Sequence, residues 1–173
     1  MGVSGSGKST LGALLAEALG TPFLEGDRYH DAAAVAKMRS GHPLDDADRW
    51  PWLDRVGAAV GATVRENGIA VAACSALRRP YRDRLIDAIA EPARFILLDT
   101  SPAELQRRMA ARQGHYMPPS LLDSQIATLE RPAVDEHAMI LDAGETPASS
   151  CEAAVDWLFR EAARLRSGSA VQP

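Results

Sequence analysis

Residues Gly2-Val3-Ser4-Gly5-Ser6-Gly7-Lys8-Ser9-Thr10 follow the pattern G-x-x-x-x-G-K-[ST], and no other stretch restricts so strongly what the chain can fold into. The glycines allow a tight turn in which successive backbone N–H groups point inward at anionic oxygens. Lys8 can reach terminal phosphates as a point charge, and the Ser9 hydroxyl can ligate Mg²⁺. The L-x-x-L-L-x-x-x-L run that follows predicts a helix over Lys8–Leu19, whose N-terminus adds partial positive charge behind the phosphates. The alternative, a glycine-serine tail, leaves that apolar run unexplained. Gly2, Ser4, Gly5, Ser6, Gly7, Lys8, Ser9 and Thr10 are therefore the candidate nucleotide-binding loop.

Such a loop is ordinarily delivered by a buried strand, and here only Met1 precedes Gly2. Either residues upstream of Met1 supply that strand or the sheet lacks a central member; the first is the expectation, because removing a central strand exposes two unpaired edges.

The rest of the chain alternates short apolar runs with longer helical patterns, as in a parallel sheet covered by helices. The strand candidates are Pro22–Glu25, Ile69–Ser75, Arg94–Asp99 and Met139–Asp142. Trp52, Val56, Ala59, Val60 and Val64 form the apolar stripe of a second helix, with Pro51 near its first turn. Tyr81–Ala90 and Pro102–Arg112 make two more helices, the latter capped by Ser101 with Glu104 placed for a capping box. Pro147–Leu165 closes the fold. The 173 residues suit a single domain over 1–165, with a lid near 112–120 and a small polar tail at 166–173.

A net charge of −4 argues against a general nucleic-acid or acidic-membrane binder, and no apolar run approaches a membrane span. Cys74 and Cys151 make no disulfide framework and suit a reducing, cytoplasmic setting.

Three clusters bear on a second substrate. Glu25-Gly26-Asp27-Arg28-Tyr29-His30 follows a strand candidate, and ligands of open α/β sheets sit at strand carboxyl ends. Asp27 can orient a hydroxyl and take its proton late in a phosphoryl transfer, or be a turn residue; His30 is a substrate contact or a surface or cap histidine. Lys37, Arg39 and Arg49 lie in a polar segment that is either a solvated loop with weak ion pairs or a cationic wall for an anion. The third run ends abruptly in Ser75, Arg78, Arg79 and Arg82, groups that suit a carboxylate or phosphate, although helix-surface charge is the alternative.

The segments GVSGSGKST, LEGDRYH, KMRSGHPLDDADRWPWL, ACSALRRPYRD, ARQGHYMP and SQIATLERP, in this order and spacing, resemble bacterial-type gluconokinases over nearly all of Met1 to Phe159. The resemblance implies a nucleoside-monophosphate-kinase-like α/β P-loop fold. It further implies transfer of the γ-phosphate of ATP, with Mg²⁺, to the 6-hydroxyl of D-gluconate in the cytoplasm, and a homodimer, since dimers are common in the family. Residue by residue, it makes Lys8, Asp27 and Arg112 catalytic, Arg108 and Arg112 lid arginines over the nucleotide, and Ser9 the metal ligand. It makes Asp27, His30, Lys37, Arg49, Ser75, Arg82, His115 and Gln125 the acceptor site. Arg and Ser grip a carboxylate without naming its carbon skeleton, so shikimate or another small hydroxy acid is an alternative acceptor. A nucleotide-binding module without turnover is the alternative of another class.

Overall fold

The computed structural model describes residues 1–111 and 119–168. Its helices are α1 (Lys8–Leu19), α2 (Ala32–Arg39), α3 (Asp46–Asn67), α4 (Arg79–Ile89), α5 (Pro102–Ala111), α6 (Pro119–Thr128) and α7 (Pro147–Gly168). Its strands are β1 (Phe23–Glu25), β2 (Val71–Ala73), β3 (Phe95–Asp99) and β4 (Ala138–Asp142). All four strand candidates are thus found, trimmed or extended at their ends. α2 and α6 arise where the sequence pattern had assigned no helix, and helical backbone continues through Gly168, past the expected start of the tail.

The strands form two parallel pairs. β1 lies beside β2 with Phe23 opposite Val71, and β3 beside β4 with Phe95 opposite Ala138. Met1 and Gly2 stand between the pairs at their carboxyl ends. The Met1 amine donates to Ile96 O at 2.5 Å, Leu98 N–H donates to Met1 O at 3.0 Å, and Gly2 N–H donates to Ser75 O at 3.0 Å. The nucleotide loop therefore issues from between β2 and β3, as a central strand would deliver it.

Helices cover the strands in two apolar layers and one smaller cluster. Trp52, Leu53, Val56 and Val60 of α3 pack with Tyr81, Leu85 and Ile89 of α4. Leu11 and Leu15 of α1 pack with Leu98, Leu141 and Ala154. Val3, Leu77, Leu105 and Leu122 fill the space under the loop. Each fully buried Val or Leu contributes about 1.5–3 kcal/mol. Gly57 lets α3 and α4 approach closely, since a Cβ there would sit 2.4 Å from Ala88 Cβ.

Local chemistry sets the helix ends. The left-handed Gly20 closes α1, its N–H bonding back to Ala16 O and Glu17 O. α3 starts earlier than its proline suggested: Asp45 and Asp48 form a reciprocal capping box, with both bonds at 3.0 Å, leaving Pro51 inside the helix. Two satisfied donors at the cap outweigh the preference of proline for the first turn. Ser101 Oγ accepts Glu104 N–H at 3.3 Å, but the Glu104 carboxylate turns to Arg107 and Arg108 instead of completing a capping box.

Candidate active site

The nucleotide loop is shaped by backbone rather than by side chains. Gly5 and Gly7 have φ of 82° and 101°, a region that strains any residue with a Cβ. Gly7 is the N-cap of α1 and no side chain caps that end, so the helix N-terminus is presented to the adjoining cavity. This cavity, of about 700 Å³, is lined by Ser4–Thr10, by Glu25 at the end of β1 and Asp27 just beyond it, and by Arg107 and Arg108 of α5. Ala143, Glu145, Pro147 and Ser150, from the end of β4 to the first turn of α7, complete the wall.

Lys8 Nζ is curled back on the loop, donating to Val3 O at 2.9 Å. Ser9 and Thr10 are exposed, while Ser6 is buried with its hydroxyl unpartnered among the described residues. Arg108 ties α5 to the loop. Its Nη1 donates to Ser6 O at 3.3 Å, its Nη2 to Ala143 O at 2.6 Å, and its Nε to Glu104 at 2.7 Å. Hydrogen bonds from Arg107 and then Arg108 pull the Glu104 carboxyl down to about 2. From the other side, Ser4 N–H donates to Gln125 Oε1 of α6 at 2.7 Å.

Across the cavity, β1 runs into a 3₁₀ turn over Gly26–Tyr29. Trp52 Nε1–H donates to Gly26 O at 2.8 Å and pins this turn to α3, leaving Asp27 exposed on the same cavity as Lys8. His30 stacks on Trp52, the rings 4.3 Å apart and 13° from parallel. Its Nδ1 is buried and unpartnered among the described residues. Burial, partly offset by Asp27, lowers its pKa, so the ring is neutral at pH 7.

The remaining cations are held by protein groups. Lys37 pairs with Asp48 at 2.5 Å and Asp45 at 3.0 Å, and these hydrogen bonds raise its pKa. Arg49 is buried, its Nε donating to Leu44 O at 3.2 Å and its guanidinium 5.6 Å from the Tyr81 ring centroid. Ser75 is half-buried and its carbonyl holds Gly2 N–H.

The AAA domain family matches residues 1–132. Gluconokinase of Gluconobacter oxydans is 50% identical over 137 residues, 79% of this chain and 76% of that protein. Thermosensitive gluconokinase of Escherichia coli is 41% identical over 140 residues, 81% of this chain and 74% of that protein. The crystal structure of a gluconokinase from Sinorhizobium meliloti superposes with a TM-score of 0.87 at 41% identity, covering 98% of this chain and 94% of that one. The chain belongs to the gluconokinase family. The APS kinase CysC of Mycobacterium tuberculosis, at 19% identity and a TM-score of 0.65, shares the fold.

Within this gluconokinase framework, Arg82, expected at the acceptor, stands as a buried brace in this structure. It is 1% exposed. Its Nε and Nη2 donate to the two carboxylate oxygens of Glu136 at 2.5 and 3.0 Å, and its Nη1 donates to Ala76 O and Glu130 O. These four bonds hold the guanidinium inside the protein. Gln125 meets the nucleotide loop through Ser4 N–H. Arg112, His115 and residues 112–118 of the lid expected near 112–120 lie outside the described residues, and the last two positions of that span begin α6.

Sequence reasoning passed over Arg107, Glu145, Pro147 and Ser150 as cavity wall. The strand-end rule that singled out Asp27 applies equally to β4 and would have found the last three. The acidic partners of the arginine cluster carry no local signal. Asp46 reaches Arg78 across 32 residues and Glu136 reaches Arg82 across 54.

Proposed function

We propose that this protein transfers the γ-phosphate of ATP to the 6-hydroxyl of D-gluconate, giving 6-phospho-D-gluconate and ADP. One observation carries the reading: Lys8, the glycine-shaped loop and Asp27 line a single cavity of about 700 Å³, in a chain half identical to a gluconokinase over 79% of its length.

The residues present fit a magnesium nucleotide. Backbone amides, the end of α1 and Lys8 form an anion cradle, and the Ser9 hydroxyl with the nearby Asp27 and Glu25 carboxylates offers the hard oxygen donors Mg²⁺ takes. Bound there, Mg²⁺ would neutralise charge on the phosphate oxygens. Lys8 would leave Val3 O for the γ-phosphate, placing a cation where charge develops. Asp27 would accept a hydrogen bond from the acceptor hydroxyl, orienting it for in-line attack and receiving its proton late in the transfer. Gly2, Ser4, Gly5, Ser6, Gly7 and Thr10 would hold the phosphates, with Arg108 over them and Arg112 beside the γ-phosphate. His30, Lys37, Arg49, Ser75 and His115 are assigned to gluconate. His30 has the support of a neutral ring packed on Trp52 beside the Asp27 turn, with one buried nitrogen still to be satisfied. Location in the cytoplasm accords with two free buried thiols, Cys74 and Cys151. The homodimer is part of the same proposal, and sedimentation of the purified protein tests it.

The deciding experiment supplies purified protein with Mg-ATP and a panel of acceptors. ADP release with D-gluconate, preferred over shikimate by orders of magnitude in kcat/KM, is the expected result. Turnover no higher than that of Lys8→Ala overturns the kinase reading, and equal use of another hydroxy acid overturns the acceptor.

A further inference from the structure

Among the described residues two arginines are buried, and their surroundings differ. Arg82 has the Glu136 carboxylate against it. Arg49 has no such partner: its Nε donates to Leu44 O at 3.2 Å, and no carboxylate among the described residues pairs with its Nη groups. A guanidinium taken out of water without an opposite charge is costly, so Arg49 lacks the anion that such burial calls for.

Three carboxylates stand within four residues of Arg49, those of Asp45, Asp46 and Asp48, and each is held by another group. Lys37 takes Asp45 at 3.0 Å and Asp48 at 2.5 Å. Asp46 accepts the Tyr81 hydroxyl at 2.5 Å, and its two oxygens accept Arg78 Nη1 at 3.3 and 3.2 Å. The Tyr81 ring lies against Arg49 as well, with the guanidinium carbon 5.6 Å from the ring centroid. Trp50 meets that ring in a T-shaped contact at 5.3 Å, and Tyr81 is buried in the core between α3 and α4. One side chain therefore serves Arg49 twice. Its π face holds the guanidinium, and its hydroxyl helps to keep Asp46 on Arg78.

Arg49 also belongs to the acceptor side of the molecule. Trp52, three residues on along the same helix face, stacks on His30 and holds the Gly26 carbonyl of the Asp27 turn. After burial, the charges that act most on the His30 ring are Asp27, which raises its pKa, and Arg49, which lowers it. A hydroxy acid whose hydroxyl meets Asp27 carries its carboxylate at the other end of the carbon chain. Arg49 offers that carboxylate a planar fork suited to bidentate pairing.

With D-gluconate as the acceptor, a reading on which this rests, we infer that Tyr81 is a positioning residue that fits the site to an anion: its ring carries Arg49 and its hydroxyl keeps Asp46 away, leaving the guanidinium to the acceptor's carboxylate.

The test is a double-mutant cycle on the full chain, assayed with Mg-ATP and D-gluconate. Tyr81→Leu removes the ring, whereas Tyr81→Phe keeps it and removes the bond to Asp46; each is measured alone and together with Arg49→Met. Tyr81→Leu is expected to lower kcat/KM for gluconate about 30-fold and Tyr81→Phe about 5-fold. Both losses should fall on the gluconate KM, with kcat and the KM for ATP unchanged. In the Arg49→Met background neither substitution is expected to lower kcat/KM further. Should Tyr81→Leu fail to fold, the Tyr81→Phe arm decides alone. A Tyr81 that merely supports the fold would give losses that multiply with that of Arg49→Met, and this result would overturn the assignment. So would an equal rise in the KM for ATP, or unchanged gluconate kinetics in a protein that does turn over gluconate. No gluconate turnover by the unaltered protein would instead overturn the acceptor reading, and the assignment with it.

Discussion

The two walls of the cavity are built by opposite means. The nucleotide wall comes from consecutive residues, Ser4–Thr10, and owes its shape to backbone: positive φ at Gly5 and Gly7 and an uncapped helix end. The opposite wall around Asp27 depends on residues brought from separate elements, with Trp52 of α3 pinning the turn after β1 and stacking on His30. The first wall takes its shape from a local sequence, with Arg108 and Gln125 tying it to α5 and α6. The second exists only after α3 has packed, so its geometry is as sound as that packing. Chemistry written in one stretch is robust to change elsewhere, whereas chemistry assembled across the fold is exposed to mutations in residues that touch no ligand.

Substitutions can break this contrast, the largest effect coming first. Lys8→Ala is expected to lower kcat on the order of 10³- to 10⁵-fold by removing a cation aimed at transition-state charge, with melting nearly unchanged; an ADP-release assay reads it. Comparable losses of activity and of Tm would mean that the Lys8–Val3 bond is chiefly structural.

Arg82→Met tests the opposite kind of residue. It removes one partner of a buried pair, 1% and 7% exposed, and should cost about 3–5 kcal/mol of stability, read as Cm in urea, while KM for the acceptor in the surviving folded protein stays near its original value. A raised acceptor KM at unchanged stability would return Arg82 to the ligand. The pair also has a pH signature. Hydrogen bonds from Arg82 hold the Glu136 carboxyl below the usual range, so its stabilisation is full above the ordinary glutamate pKa and is lost as pH falls through the depressed one. Glu136→Gln should flatten that acid limb of the stability curve.

Asp27→Asn should reduce kcat by about 10²-fold while ATP affinity holds, because the lost contact strengthens only as the hydroxyl attacks. Single-turnover and nucleotide-binding measurements separate the two. The smallest effect concerns His30, whose pKa is lowered by burial. The unfolded chain takes up that proton first, so stability should decline as pH falls below about 6.5 until the folded-state pKa is passed. His30→Asn should remove that shallow slope from unfolding curves measured between pH 7 and 5.

Much of this molecule is legible before folding. The first helix was readable end to end because a glycine follows it and the phosphate loop precedes it. β3 was visible as an apolar run closed by Asp99, and the Asp27 turn by its place after a strand. α2 was not, since Ala32–Arg39 carries little apolar periodicity and is started by the Asp31 side chain, which accepts Ala34 N–H at 2.8 Å. The start of α3 was hidden by Pro51, an expected first-turn residue displaced by the Asp45–Asp48 box. The cluster of Arg78, Arg79 and Arg82 is less legible. Three arginines after a strand look alike in sequence, and only the approach of Asp46, Glu130, Asp135 and Glu136 sets Arg82 apart as the buried one.

By itself the sequence determined the phosphate cradle, the alternation of strands and helices, and membership of the gluconokinase family, because each rests on residues adjacent in the chain or on the order of motifs along it. Tertiary structure alone decided which cations are spent on the protein's own carboxylates, which nitrogen of His30 is buried, and that the strands stand as two parallel pairs. Those outcomes depend on burial and on partners tens of residues away, and desolvation is a property of the packed molecule that no single stretch of chain contains.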